Sequence, residues 1–249
     1  MRLKRILLII LSGIITNLYA VNVQAIPTLQ LDIGGGSYYD SSTDTIVSTS
    51  SSFTLYAYLI PNSYNSLSDT YYISAALSPR TSEPGDIGSF TFQGNDIEVT
   101  GDMIYGIPPL EIVTIIPGFD PGDLSKHGIF ETYFSEFGFT FSSSQISPYN
   151  TADRAESGGA IPSTGNGMYY AAFTVDTSNL DSDYIIHFDL YNETIKNNGD
   201  VDISSFAPFS HDAESCHDCT PVPEASTVLL LGAGFAGLWM FKRLIMVIT

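Results

Sequence analysis

Basic residues are scarce in this chain of 249: nine Lys and Arg stand against 27 Asp and Glu. The shortage is local as well as global, because Arg2, Lys4 and Arg5 crowd the amino end and Lys242-Arg243 the carboxyl end. Between them lie only Arg80, Lys126, Arg154 and Lys196, four cations against 27 acids, for a net charge of −23. Such a chain repels phosphate polymers and anionic lipid, since binding either needs Lys and Arg to displace counterions. Nucleic acid is therefore excluded as a partner. Cysteine is nearly absent too, with Cys216 and Cys219 the only two. Two thiols three residues apart cannot staple a whole domain. They do not make a c-type haem site either, because Thr220 stands where histidine must follow. A convincing helical period, an internal repeat and a Gly-x-Ser-x-Gly nucleophile elbow are all missing from the middle of the chain. One apparent exception, Gly232-Ala-Gly234-Phe-Ala-Gly237, matches the dinucleotide pattern, but the chain ends twelve residues later, too soon for the βαβ unit that pattern requires. No cofactor is expected.

What is abundant points to β structure. There are 15 Tyr, 15 Phe, 21 Gly and 13 Pro, with many Ser and Thr. Side chains alternate with period two in Phe53–Leu59. They do so more cleanly in 184–190, which sets Tyr184, Ile186, Phe188 and Leu190 on one face and His187 and Asp189 on the other. Phe130–Phe141 reads as a long aromatic strand with Tyr133, Phe137, Phe139 and Phe141 on one side. Further strands are predicted at Thr28–Ile33, Tyr71–Leu77, Ser89–Phe92, Ile97–Thr100, Glu111–Ile115 and Met168–Val175. Turn clusters such as Gly34-Gly35-Gly36, Pro61-Asn62-Ser63 and Asn197-Asn198-Gly199 separate them. Ser37–Ser52 and Ser142–Gly167 read as loops or ragged edges. This pattern predicts an all-β, jelly-roll-like β-sandwich over 26–215, with a closed barrel as the alternative.

Both ends carry topogenic signals. Arg2, Lys4 and Arg5 precede an apolar stretch, Ile6–Tyr19, and small residues sit at the cleavage positions of Val23-Gln24-Ala25. Residues 1–25 are expected to be a secretory signal peptide removed after Ala25, with Ala20 the second choice. At the other end a linker, 216–222, leads into Pro223-Glu224-Ala225, the apolar run Ser226–Phe241 and the basic stop Lys242-Arg243, with a short apolar tail at 244–249. As a helix the run reaches about 24 Å, just enough to cross a membrane if the two cations snorkel. Positive-inside topology then holds the carboxyl end in the cytoplasm and the body outside. The glycines at 232, 234 and 237 are small residues of a membrane helix.

That combination resembles the PEP-CTERM sorting signal of exopolysaccharide-producing bacteria. The resemblance implies recognition by an exosortase-type processing protein at Pro223, Glu224 and Ala225, a membrane span at Ser226–Phe241 and a stop at Lys242-Arg243. It further implies an inner-membrane-anchored precursor facing the periplasm, passed on to the cell surface or matrix, with polysaccharide as a candidate partner. Ala225 departs from the commoner second proline, and the 244–249 extension is unusual. In the body, 126–137 and 206–213 resemble the choice-of-anchor N family, exported β-rich domains to which no activity attaches.

For chemistry in the body no catalytic residue and no metal ligand are assigned, and the protein is not expected to be an enzyme. Cys216 and Cys219 are read first as a small disulfide ring in an oxidising compartment. Zinc held by them with His211 and His217 is the alternative, as are free thiols. Glu131 and Glu136, five apart on one strand, point to opposite faces and make a poor glycosidase pair. The 181–183 and 198–202 segments offer loop carboxylates for calcium, but Thr194 falls where an EF-hand needs its first ligand. Three functions remain: a structural or adhesive surface protein, a secreted carbohydrate-active enzyme, and an unprocessed membrane-tethered periplasmic domain.

Overall fold

The computed structural model describes residues 25–83, 85–106, 131–195 and 201–216. Period-two alternation there becomes two facing sheets. One holds six strands in the order β1 (Leu29–Gly34), β4 (Ser52–Leu59), β11 (Met168–Asp176), β6 (Ser89–Phe92) and β7 (Asn95–Glu98), with β10 (Gln145–Ile146) paired to β11. The other holds eight, ordered β2 (Ser37–Asp40), β3 (Thr45–Ser48), β14 (Asp212–Glu214), β12 (Ile185–Ile195), β5 (Tyr71–Ser78), β9 (Thr132–Phe139) and β8 (Ile104–Gly106), with β13 (Val201–Phe206) paired to β12. This is the expected all-β sandwich. It exceeds the two four-stranded sheets of a jelly roll, and one pair, β14 with β3, runs parallel.

The core lies between the sheets. Leu31, Leu55 and Ala57 of one meet Ile73, Leu77, Ile186, Phe188 and Leu190 of the other, all fully buried. Each of these Leu, Ile and Phe side chains contributes about 1.5–3 kcal/mol by leaving water. Aromatic rings tie the layers together: Phe92 stacks on Phe137 with centroids 4.1 Å apart, and Phe53 meets Phe188 edge-on. Tyr133, Phe137 and Phe139 share the core-facing side of β9, as the sequence predicts.

Three local expectations need revision. Ser37–Ser52 is no loop but a sheet edge, where β2 and β3 pair and β2 is the outermost strand. All four β3 residues are buried, since β14 adds from 160-odd residues away and erases the alternation. Within Ser142–Gly167 lies a helix, Thr151–Ser157, capped by the Asn150 side chain and ended by Gly158 in the left-handed region. Strand β7 stops at Glu98, and Val99–Asp102 turns helically where a strand was expected. The predicted strand at 111–115 lies outside the described residues. The triple glycine marks the corner where the chain leaves one sheet for the other. Gly35 and Gly36 have φ of +99° and +119°, and a Cβ on Gly36 would lie 2.5 Å from Thr49 Oγ1.

Candidate functional site

Each sheet has an outer face, and both carry buried charge. On the six-stranded sheet, alternation turns Gln30 and Asp32 of β1 outward, beside Tyr56 and Tyr58 of β4. The helix Thr151–Ser157 covers them. Arg154 Nε donates to Asp32 Oδ2 at 3.0 Å, its Nη2 pairs with Oδ1, and Nη1 donates to Ser37 Oγ at 2.9 Å. The Tyr149 hydroxyl and the Ile33 amide donate to the same carboxylate at 2.6 and 2.7 Å. Gln30 accepts from the Thr151 amide and donates to the Tyr149 carbonyl. Burial pulls the Arg154 guanidinium down to about 10, still cationic at neutral pH. This carboxylate is fully compensated.

The eight-stranded sheet differs. β12 places His187 and Asp189 on its outer face, two residues apart, while Ile186, Phe188 and Leu190 fill the core. β14 pairs with β12 so that Glu214 sits opposite His187, and Asp212 follows two residues before on the same face. The sequence reading treated His187 and Asp189 as the face away from the core, and it missed Asp212 and Glu214 altogether. That outer face is not in water: His187, Asp189 and Asp212 are 7%, 9% and 0% exposed. His187 Nδ1 is 2.8 Å from Glu214 Oε1, and its Nε2 faces Asp189 Oδ1 at 3.4 Å and Asp212 Oδ2 at 3.8 Å. One candidate ligand atom from each of His187, Asp189 and Asp212 lies within 4.8 Å of the other two.

Electrostatics here are unbalanced. Burial by itself pushes the His187 imidazole down, but Asp189, Glu214 and Asp212 override it and hold the imidazolium well above the ordinary histidine range. Burial first, then Asp189 and Glu214, drive Asp212 well above the usual carboxylate range. Neither oxygen of Asp212 has a hydrogen-bond partner among the described residues. Ser74, directly across from Asp189 on β5, is fully buried with an equally unpartnered hydroxyl. Native interiors pair such groups almost without exception.

The residues singled out from sequence are scattered. Cys216, 2% exposed, follows β14 and is disulfide-bonded; Cys219 lies outside the described residues. Buried His211, kept neutral by desolvation down to about 4, contacts Asn150 Oδ1 and Ser210 Oγ. Glu136 of β9 accepts from the Tyr191 hydroxyl, whereas Glu131 lies just before that strand and is exposed, so the two do not share a strand as expected. Asp181 Oδ1 accepts from the Asp183 amide, a turn-forming role, while 198–200 lies outside the described residues. The Ala25 carbonyl accepts from Asn150 Nδ2 at 3.3 Å. The rest of the signal segment, Pro223, Glu224, Ala225, the run Ser226–Phe241, Lys242 and Arg243 all lie outside the described residues. No helix of the described residues is long and apolar enough to cross a membrane.

Comparison with known proteins assigns the tail. Residues 221–243 match the PEP-CTERM protein-sorting motif. The match covers Pro223, Glu224, Ala225, Lys242 and Arg243 and stops short of the body. A signal of this kind marks an exported protein sorted by exosortase. No curated protein and no solved structure matches the chain.

Proposed function

We propose, from the sorting motif at 221–243, that the chain is anchored in the inner membrane as a precursor with its body in the periplasm. It is then processed near Pro223-Glu224 and delivered to the cell surface or extracellular matrix. Its role there is structural or adhesive, directed at exopolysaccharide, and non-enzymatic. The motif match is the observation that carries this reading. The signal segment ending at Ala25 and the apolar run Ser226–Phe241 give both ends one topology. The resemblance of 126–137 and 206–213 to choice-of-anchor N bodies belongs to the same reading, as does pairing of Cys216 with Cys219 near the linker.

The adhesive part draws on a groove of about 310 Å³ on the outer face of the six-stranded sheet, lined by Tyr56, Tyr58, Tyr170 and Pro162. Tyr56 and Tyr170, half-buried beside this groove, offer stacking faces for sugar rings, with buried Tyr58 behind them. The test is fractionation of cells carrying Pro223→Ala with Glu224→Ala. The variant should stay in the membrane at full length, whereas equal release of variant and wild type would count against the proposal.

A second reading, a secreted carbohydrate-active enzyme, draws on a different groove. It measures about 420 Å³ and holds Asp102 and Glu136 beside Tyr72 and Phe134. Two carboxylates across a cleft are the minimum for glycoside hydrolysis. Oligosaccharide release from the host's own polysaccharide, lost in both Asp102→Asn and Glu136→Gln, would establish this reading in place of the first.

A further inference from the structure

We propose that His187, Asp189 and Asp212 bind one divalent transition-metal ion, zinc by ligand chemistry, with Glu214 orienting the histidine. The inference is independent of how the tail is processed. It begins from the strand pair. Antiparallel β12 and β14 put all four side chains on one face, two from each strand, by alternation alone. With Nδ1–H donating to Glu214 at 2.8 Å, Nε2 of His187 faces two more carboxylates, at 3.4 and 3.8 Å. That arrangement repels unless something positive lies between them. A proton on Nε2 would draw one acceptor to about 2.7–2.9 Å, the distance of a charge-assisted hydrogen bond. The observed separations are too long for that. They do suit ligands around a common ion, because donors about 2.0–2.1 Å from a tetrahedral zinc lie about 3.3 Å apart.

Charge and hydrogen bonding agree with the distances. Three carboxylates crowd one imidazole in a largely buried site, so at least one of them must take up a proton or meet a cation. Isolated buried charge of that kind is not tolerated, and in proteins it is paired or coordinates metal. Asp212 is fully buried with neither oxygen hydrogen-bonded among the described residues, which is the state of a ligand before its ion. Ser74, on the same face across from Asp189, adds an unpartnered hydroxyl that suits a metal-bound water. The compensated Asp32 on the opposite outer face shows that this chain can supply an arginine where a buried acid is meant to pair internally.

The donor set selects the metal. One imidazole nitrogen with two carboxylates fits zinc or a neighbouring transition ion, whereas calcium takes six to eight oxygens. The carboxylate–histidine contact at Nδ1 is the usual device for fixing a ligating histidine, and its loss typically weakens binding 10–100-fold. The fourth position falls to water. The set uses none of Cys216, Cys219, His211 and His217, the other cysteines and histidines at this end of the chain.

The test uses the full-length chain in detergent, stripped with chelator and titrated with zinc chloride, read by metal content and by thermal unfolding. One zinc per chain and a rise of several degrees in midpoint are expected, with no comparable rise from calcium. Asp212→Asn should abolish the bound equivalent, and Glu214→Gln should weaken it 10–100-fold, both with wild-type circular dichroism. Cys216→Ser with Cys219→Ser should still bind one equivalent. Zinc uptake unchanged in Asp212→Asn, uptake lost only with the cysteines, or a shift from calcium and none from zinc would each overturn the assignment. So would a chain that takes up no zinc at all, which would leave Asp212 a protonated acid.

Discussion

The two outer faces of the sandwich handle buried acid in opposite ways. Asp32 lies under the Thr151–Ser157 helix with Arg154, Tyr149 and its neighbour's amide all donating to it. Asp212 lies equally deep with no hydrogen bond among the described residues and two more carboxylates nearby. Composition explains why the two solutions coexist. Four cations serve the whole body, and one of them, Arg154, is committed to the first face. An acidic chain that buries several carboxylates must import positive charge for the rest. The first face is thus a structural clip, and the second is where an outside ion has work to do.

Breaking the clip should have the largest effect. Arg154→Leu leaves Asp32 charged, buried and short of its main partner, a loss of about 3–5 kcal/mol by urea denaturation. The same measurement on metal-free protein should give the opposite sign across the sandwich. There Asp212→Asn removes a carboxyl that must take up a proton to stay buried, and should stabilise the fold near neutrality, where that uptake costs most. Opposite signs sharpen the comparison; destabilisation by both would erase it.

Tyr149→Phe deletes a hydrogen bond to a carboxylate and should cost about 1.5–2 kcal/mol near neutrality. It also has a pH signature. Burial holds the folded Tyr149 hydroxyl protonated well above the ordinary tyrosine range. Its contribution is therefore complete below about pH 10, the unfolded value, and is lost as pH rises beyond it. The alkaline fall in stability should be shallower in Tyr149→Phe. Smallest of all, Asn150→Ala removes the helix cap, a loss of about 1 kcal/mol. Hydrogen exchange should place that loss in the 151–157 helix while leaving β12 protected.

Much of the framework was legible because alternation is a local signal. β6 was placed at Ser89–Phe92 to the residue, and β1, β4, β5, β9, β11 and β12 within a few. Elements set by distant partners were not legible. β3 loses its alternation because β14 pairs with it in parallel, and β14 is three residues long, too short to show a period. The Thr151–Ser157 helix did carry a readable signature, Asn150 at its cap and Gly158 past its end, but seven residues give no amphipathic stripe. The candidate metal ligands fell between these cases. The alternation puts His187 and Asp189 together on the face opposite the core, as found. Burial of that face depends on neighbours brought in by the fold, as does its meeting with residues 23 to 27 positions on. The sorting motif at 221–243 was legible, because such a signal is read as sequence.

Under the proposed function the tail sets the destination of the body that carries both faces, so the most direct measurement is the intact mass of the protein recovered from the cell surface and medium. Processing predicts a chain that begins near Ile26 and ends close to Pro223-Glu224, lacking Ser226–Thr249. Recovery of a chain that still carries Lys242-Arg243 and the residues after them would contradict it.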